Sequence, residues 1–121
     1  MLNYNIKGTG VNVSDDIREY LDKRLVRVEK FLHSEPSAQL NVELHYLEEG
    51  RSGKYRAEFT LGVAGTTYRA EHWGSALHEA IDLATDELVA ELRKAKQKRL
   101  HAVRRGAQKV KDFVRGWRSN L

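Results

Sequence analysis

Apolar and polar residues alternate in four short segments of the chain, which is the pattern of half-buried β-strands. The predicted strands cover residues 2–6, 40–46, 55–63 and 67–72. A polar, turn-rich stretch at 49–53 separates the second segment from the third, and Ala64-Gly65-Thr66 separates the third from the fourth. Short turns of this kind join antiparallel neighbours, so the last three strands are predicted to form a meander.

A longer segment instead has apolar residues at steps of three and four, the pattern of a helix that buries one face. It is predicted to begin after Ser14, a good N-cap, and Asp15 and Asp16 follow where the helix dipole favours negative charge. It is predicted to end near His33, because the residue before Pro36 is pushed out of helical geometry. Its apolar stripe consists of Ile17, Leu21, Leu25, Val28 and Leu32.

A second helix is predicted to open at Gly74-Ser75 and to run without a break to about Arg99. Its apolar stripe consists of Leu77, Ile81, Ala84, Leu88, Leu92 and Ala95. A helical stripe continues through residues 100–117, but Gly106 lies inside it and weakens the pattern. Residues 100–121 therefore extend this helix, form a separate basic helix or fray, and the sequence leaves all three open.

The element order is β-α-β-β-β-α, which predicts an α+β fold. A helix between the first two strands implies a crossover and hence a parallel pair, so the four-stranded sheet is mixed. Both helix stripes need a burial site, and a shared face of this sheet is the plausible one. We expect one domain over residues 1–99 and a basic helical tail over residues 100–121.

A chain of 121 residues is long enough to bury a core, and the absence of cysteine excludes disulfides and cysteine-based zinc sites. Because no segment has the apolar length of a signal peptide or a membrane span, we expect a soluble, cytoplasmic protein.

The charge is distributed unevenly along the chain. Residues 91–121 carry 11 Lys and Arg against 2 acidic residues, a net +9, whereas residues 1–90 carry 10 basic and 15 acidic residues, a net −5. This asymmetry points to a polyanionic partner, either nucleic acid or an anionic membrane.

Cations cluster on the outer faces of both predicted helices. On the first helix, Lys23, Arg27 and Lys30 lie opposite the apolar stripe, and Arg24 lies at its margin. The second helix carries five cations in seven residues, more than its dipole explains, namely Arg93, Lys94, Lys96, Lys98 and Arg99. We expect two cations of each helix to converge into one track that contacts RNA phosphates, namely Arg27, Lys30, Lys94 and Lys98.

The predicted tail mixes further cations with the aromatic residues Phe113 and Trp117. Its cations are Arg104, Arg105, Lys109, Lys111, Arg115 and Arg118. Aromatic side chains among cations suit stacking on unpaired bases, but they equally suit an amphipathic helix on a membrane surface or on a partner protein. RNA is the favoured interpretation, no membrane is expected, and self-association through the tail stays open.

Nothing in the sequence supports catalysis, a cofactor or a small-molecule substrate. The five histidines show no metal-ligand spacing, so no metal site is predicted. Gly8 and Gly10 stand between a strand and a helix, but Val13 takes the third glycine position of a dinucleotide-binding motif. Turn geometry explains these glycines, and we expect a binding protein rather than an enzyme.

Specific residues accompany the element order in several segments. They are Asn5-Ile6-Lys7-Gly8, Val13-Ser14-Asp15-Asp16-Ile17-Arg18, the stretch 23–30, Tyr68-Arg69-Ala70-Glu71, and the stretches 77–82 and 88–94. Together they resemble the ribosome hibernation-promoting factor and ribosome-associated inhibitor family over about residues 1–99. The likeness lies in the order and spacing of these residues taken together.

The resemblance implies a fold similar to double-stranded RNA-binding domains and a bacterial role in stress or stationary phase. It implies that the partner is rRNA of the small ribosomal subunit. There the protein would occupy the decoding cleft, overlap the mRNA and tRNA sites and block translation. The basic positions of the family carry over to Arg18, Arg24, Arg27, Lys30, Arg93, Lys94, Lys96 and Lys98.

The sequence also departs from the family pattern. Glu87 and Ala90 occupy helix positions that are often basic in the family, which weakens the predicted RNA surface there. The sequence shows neither the second domain through which long members pair ribosomes nor the acidic C-terminal tail of the inhibitor type. We therefore expect a short form, and whether it promotes or prevents ribosome dimers stays open.

Overall fold

The computed structural model describes residues 2–32, 37–48 and 54–119, and it describes the backbone alone at position 101 and from 103 onward. The elements are β1 (Tyr4–Thr9), α1 (Asp15–Glu29), β2 (Gln39–Tyr46), β3 (Tyr55–Val63), β4 (Thr66–Gly74) and α2 (Leu77–Ser119). The predicted β-α-β-β-β-α order and the α+β class are confirmed.

The four strands form one mixed sheet in which the spatial order follows the chain order, β1-β2-β3-β4. β1 pairs with β2 in parallel, and the β2–β3 and β3–β4 pairs are antiparallel. The predicted crossover and meander are therefore confirmed. The register aligns residues of all four strands in rows, and the central row consists of Ile6, Val42, Phe59 and Ala70.

Both helices bury their apolar stripes on the face of the sheet that carries this row. Leu21, Val42, Phe59 and Leu88 are fully buried in one core to which α1, the sheet and α2 all contribute. Burying a side chain of this size stabilises the fold by about 1.5–3 kcal/mol. Thr85 is also fully buried, and its Oγ1 donates a hydrogen bond to the carbonyl of the preceding turn of α2 at 2.7 Å.

Helix α1 begins as predicted, with the Ser14 hydroxyl accepting a hydrogen bond from the Ile17 amide at 3.3 Å. It ends at Glu29, earlier than the predicted end near His33, which lies outside the described residues. The next amides turn more tightly, because Phe31 and Leu32 bond to carbonyls three residues back, each at 3.0 Å. This tightening is common at helix ends, and Leu32 stays in the core.

The junction between β4 and α2 differs from the prediction, since Gly74 ends the strand and the helix begins at Leu77. Gly74 is buried under the first turn of α2. A Cβ atom placed on it would lie 2.8 Å from the Ala80 nitrogen and 3.1 Å from the Ala76 carbonyl oxygen. The backbone of the strand therefore approaches the helix too closely for any side chain.

Helix α2 continues through residue 99 to Ser119, so it is 43 residues long. Of the three conformations that the sequence left open, the structure has the extension of the second helix. The last buried residue described on α2 is Leu92, and Lys98, Arg99 and Leu100 are exposed. The division at residue 99 falls inside this helix and stays a prediction.

Two hydrogen bonds link α1 to the edge strand β1 and to the residue Leu2 before it. The Leu2 amide donates to Glu29 Oε1 at 2.7 Å, and the Tyr4 hydroxyl donates to Asp22 Oδ1 at 2.6 Å. Burial and the hydrogen bond to Asp22 raise the pKa of Tyr4 from 10.0 to about 12. The folded state therefore favours the protonated form of the Tyr4 phenol.

This raised pKa predicts a loss of stability in alkali. The unfolded chain loses the Tyr4 proton near pH 10, whereas the folded chain keeps it to about 12. The contribution of Tyr4 is therefore complete below about pH 10 and declines as the pH rises to about 12. Tyr4→Phe should show a smaller fall in Tm between pH 9.5 and 12 than the unmodified chain. Tyr46→Phe is the control, and equal falls in all three proteins would contradict the prediction.

Gly74 predicts a second stability effect. Gly74→Ala should lower the free energy of unfolding by about 1–3 kcal/mol, because the new methyl group overlaps backbone atoms that cannot move independently. Gly62→Ala is the matched control, since a Cβ there meets nothing within 4 Å. Urea denaturation measures both, and equal midpoints for the two variants would show that the junction tolerates a side chain.

Candidate nucleic-acid interface

Helices α1 and α2 lie side by side on the sheet and run in the same direction. The Tyr20 ring meets the His78 ring edge to face, with 4.3 Å between ring centroids, and Arg27 farther along α1 meets Asp86 farther along α2. We call this line of contact the seam. Because the helices are parallel, side chains that follow these pairs on the two helices also meet across the seam.

Two arginines of the predicted RNA surface are neutralised in the first half of the seam. Arg24 Nε lies 2.9 Å from Asp82 Oδ1, and the same oxygen accepts a hydrogen bond of 2.6 Å from the Tyr20 hydroxyl. Burial and this hydrogen bond raise the pKa of Tyr20. Arg27 Nη1 lies 2.6 Å from Asp86 Oδ1. These contacts hold the two helices together and leave little net charge there.

The second half of the seam is a groove of about 320 Å³ that carries cations without carboxylates. We call it the basic groove, and its lining residues are Arg27, Lys30 and Phe31 of the first helical region and Val89, Arg93 and Lys96 of α2. Lys30, Arg93 and Lys96 are exposed. Among the residues that the structure describes, none of these three forms an ion pair. The groove can therefore bind a phosphate backbone without first breaking a salt bridge.

Lys94 and Lys98 project from the other flank of α2. On a helix of about 100° per residue they share a side with Glu87 and Glu91. Glu87 pairs with His72 of β4, and Lys94 Nζ lies 3.7 Å from Glu91 Oε1. The expected convergence of Arg27 and Lys30 with Lys94 and Lys98 is thus not what the structure has, since their partners across the seam are Arg93 and Lys96.

The remaining predicted cations are spread around the domain. Arg18 lies on the flank of α1 that faces β1, where its carbonyl is 3.4 Å from the Tyr4 hydroxyl. Lys23 is exposed on the outer side of α1, and Arg99 lines a separate groove described below. The side chains of the predicted tail lie outside the described residues, namely Arg104, Arg105, Lys109, Lys111, Arg115, Trp117 and Arg118.

The face of the sheet opposite the helices carries both acidic and basic side chains. One row of this face consists of Lys7, Glu43, Glu58 and Glu71. Arg56 bonds to both Glu58 and Glu71, with Nε at 2.7 Å from Glu71 Oε1, and this contact lowers the pKa of Glu71. Lys7, Arg56 and Arg69 lie on the same face and offset these three glutamates, so the face offers a polyanion no net attraction, in contrast to the basic groove.

Sequence reasoning missed the aspartates that define the seam and the apolar floor of the groove. Asp82 and Asp86 are one turn apart on α2, which is a visible signal, but only the packing shows that they face Arg24 and Arg27. Phe31 lies just beyond α1, and its place in the groove follows from the tight turn there.

Residues 4–100 match the family model for sigma 54 modulation proteins and S30EA ribosomal proteins. The match covers most of the chain, and the chain belongs to this family. The likeness found in the sequence to ribosome hibernation factors is thereby confirmed.

Curated relatives carry the name ribosome hibernation promotion factor. The protein from Bacillus subtilis is 28% identical over 97 residues, which cover 80% of this chain and 50% of that protein. The protein from Picosynechococcus is 30% identical over 94 residues, which cover 77% and 48%. The chain thus spans about half the length of the curated relatives it matches.

Two solved structures are similar to this fold. The N-terminal domain of Protein Y from Thermus thermophilus has a TM-score of 0.64 at 26% identity, and the match covers 77% of this chain and 96% of that one. A ribosomal subunit interface protein from Coxiella burnetii has a TM-score of 0.62 at 20% identity, with coverage of 78% and 97%. The second likeness concerns the fold alone.

The described part of the chain offers few signs of other kinds of site. It has no group of three or more His, Asp or Glu side chains placed to hold a metal ion. No helix in the same residues is long and apolar enough to cross a membrane. The basic groove is the candidate site for a phosphate backbone among the described residues.

The seam predicts a salt-dependent stability. Asp82→Asn with Asp86→Asn should lower the free energy of unfolding by about 1–2 kcal/mol, because each carboxylate is half exposed and offsets one arginine. The loss should shrink in 1 M NaCl, where charge interactions are screened. Glu19→Gln with Glu48→Gln removes the same charge elsewhere as a control. A loss that is unchanged by salt would show that the pairs act by packing and not by charge.

Proposed function

We propose that this chain binds rRNA of the small ribosomal subunit through the basic groove and thereby silences translation. The observation that carries the proposal is the meeting of Lys30 with Arg93 and Lys96 in a groove that no described carboxylate lines. Membership of the family, and relatives named ribosome hibernation promotion factor, support the ribosome as the source of that RNA. A ribosome partner implies a cytoplasmic location.

The finer proposal concerns the place and the occasion of binding. The resemblance implies the decoding cleft of the small subunit, where the protein would exclude mRNA and tRNA during stress or stationary phase. Contacts to phosphates orient a protein on structured RNA without reading its sequence. The charged groups of the basic groove are ammonium and guanidinium groups, which bind phosphates. Binding of this kind would let the protein act on every ribosome alike.

Neutralising the groove should weaken binding to small subunits. Lys30→Gln with Arg93→Gln and Lys96→Gln should reduce affinity at least tenfold in a co-sedimentation series over salt concentration. The slope of log affinity against log salt should fall by about 2–3, because fewer counterions are released. The matched control is Lys7→Gln with Lys54→Gln and Arg69→Gln, which removes three exposed cations outside the groove. Equal affinities for the two triple variants would contradict the proposal.

Three further arms of this experiment separate the alternatives. Lys94→Gln should cost less than any single groove substitution, since Lys94 lies on the other flank of α2 and close to Glu91. Deleting residues 100–121 should leave most of the binding. Loss of all binding on truncation would instead favour a tail that binds a membrane, a protein or another RNA. Small subunits loaded beforehand with mRNA and tRNA should exclude the chain if the decoding cleft is its site.

A further inference from the structure

A second groove lies beside the basic groove, at the end of the domain formed by the turn between β3 and β4. It has a volume of about 500 Å³. Its floor is apolar, with Leu92 and Val63 among the lining residues, and two aromatic side chains, Phe31 and Tyr68, line it as well. We call it the aromatic groove.

The two grooves are neighbours because they share Phe31. The tight turn after α1 puts this ring between the cations of the seam on one side and the end of the sheet on the other. A strand that follows the cations of the seam therefore reaches the aromatic groove without leaving the protein surface.

Cations mark the rim of the aromatic groove. Lys98 and Arg99 line it, and both are exposed. Arg99 lies on the same stripe of α2 as Leu88 and Leu92, since eleven residues are close to three helical turns. A cation here, where the stripe passes beyond the core, directs positive charge toward the groove.

We infer that the aromatic groove holds one unpaired base of the RNA strand that occupies the basic groove, with the adjoining phosphate on Lys98 and Arg99. Aromatic rings offer a base a stacking partner whatever its identity, and cations at the rim match the charge of its phosphate. An acidic peptide with an apolar side chain matches the rim charge too, but continuity with the basic groove favours RNA. This inference rests on the proposed function, of which it names one subsite.

The test separates stacking from charge. Phe31→Leu with Tyr68→Leu keeps the lining of the groove apolar and removes both rings. Its affinity for small subunits should fall about tenfold, while the slope of log affinity against log salt stays as in the unmodified chain, because no phosphate contact is lost. Each single variant should show part of the loss. Tyr46→Leu, which removes a half-buried ring at the other end of the sheet, should bind normally.

A second measurement uses single-stranded oligoadenylate of twelve nucleotides and an abasic strand of the same length. The unmodified chain should prefer the strand with bases about tenfold, and the leucine variant should bind the two alike with its thermal unfolding intact. The groove variant with Lys30, Arg93 and Lys96 neutralised should lose affinity for both strands equally. This result would keep the base subsite distinct from the phosphate surface.

The outcomes distinguish the two proposals. Normal binding of the leucine variant to small subunits would overturn the base subsite and leave the proposed function standing. Failure of the unmodified chain to bind small subunits at all would overturn the proposed function. Saturable binding of a Glu-Phe copolymer peptide that the leucine variant loses, with RNA binding unchanged, would also overturn the inference and assign the groove to a protein.

Discussion

Along the seam between α1 and α2, two arginines of one helix meet two aspartates of the other. The helices are parallel, so the C-terminal end of α1 lies beside the middle of α2, where the cations of residues 93–99 begin. Apolar burial against the sheet supplies most of the stability and holds each helix in place. The pairs Arg24–Asp82 and Arg27–Asp86 form at the displacement that this packing gives, and they add to its stability. The same displacement places Lys30 beside Arg93 and Lys96 in the next part of the seam.

The balance of charge changes along the seam, and it differs between the two sides of the sheet. Along the seam, compensated pairs give way to Lys30, Arg93 and Lys96, which have no described carboxylate beside them. Across the domain, cations converge in the basic groove on the helical side, whereas the glutamates of the open sheet face are accompanied by an equal number of cations, Lys7, Arg56 and Arg69. A polyanion is therefore attracted to the second half of the seam and aligned with it.

The architecture could be predicted from the sequence because the hydrophobic pattern within each helix or strand indicates which of its faces is buried. The stripe that includes Leu21 and Val28 and the alternation around Phe59 are local patterns, and they suffice for the order and pairing of the elements. The candidate site depends instead on how two distant elements meet. Lys94 and Lys96 are two residues apart but point to nearly opposite flanks of α2, and only packing shows which of them faces α1. The start of α2 was predicted wrongly for a similar reason. Gly74 allows the end of β4 to pack closely against the first turn of α2, and no local sequence pattern indicates such a contact.

The order of the strands in the sheet has a consequence for synthesis. Because β1, β2, β3 and β4 are neighbours in the sequence in which they leave the ribosome, each strand finds its partner already present. Helix α2 comes last, and until it emerges Tyr20, Arg24 and Arg27 of α1 have nothing across from them. Half of the basic groove is supplied by that final element. A nascent chain consequently has no assembled basic groove until this part of α2 has been made.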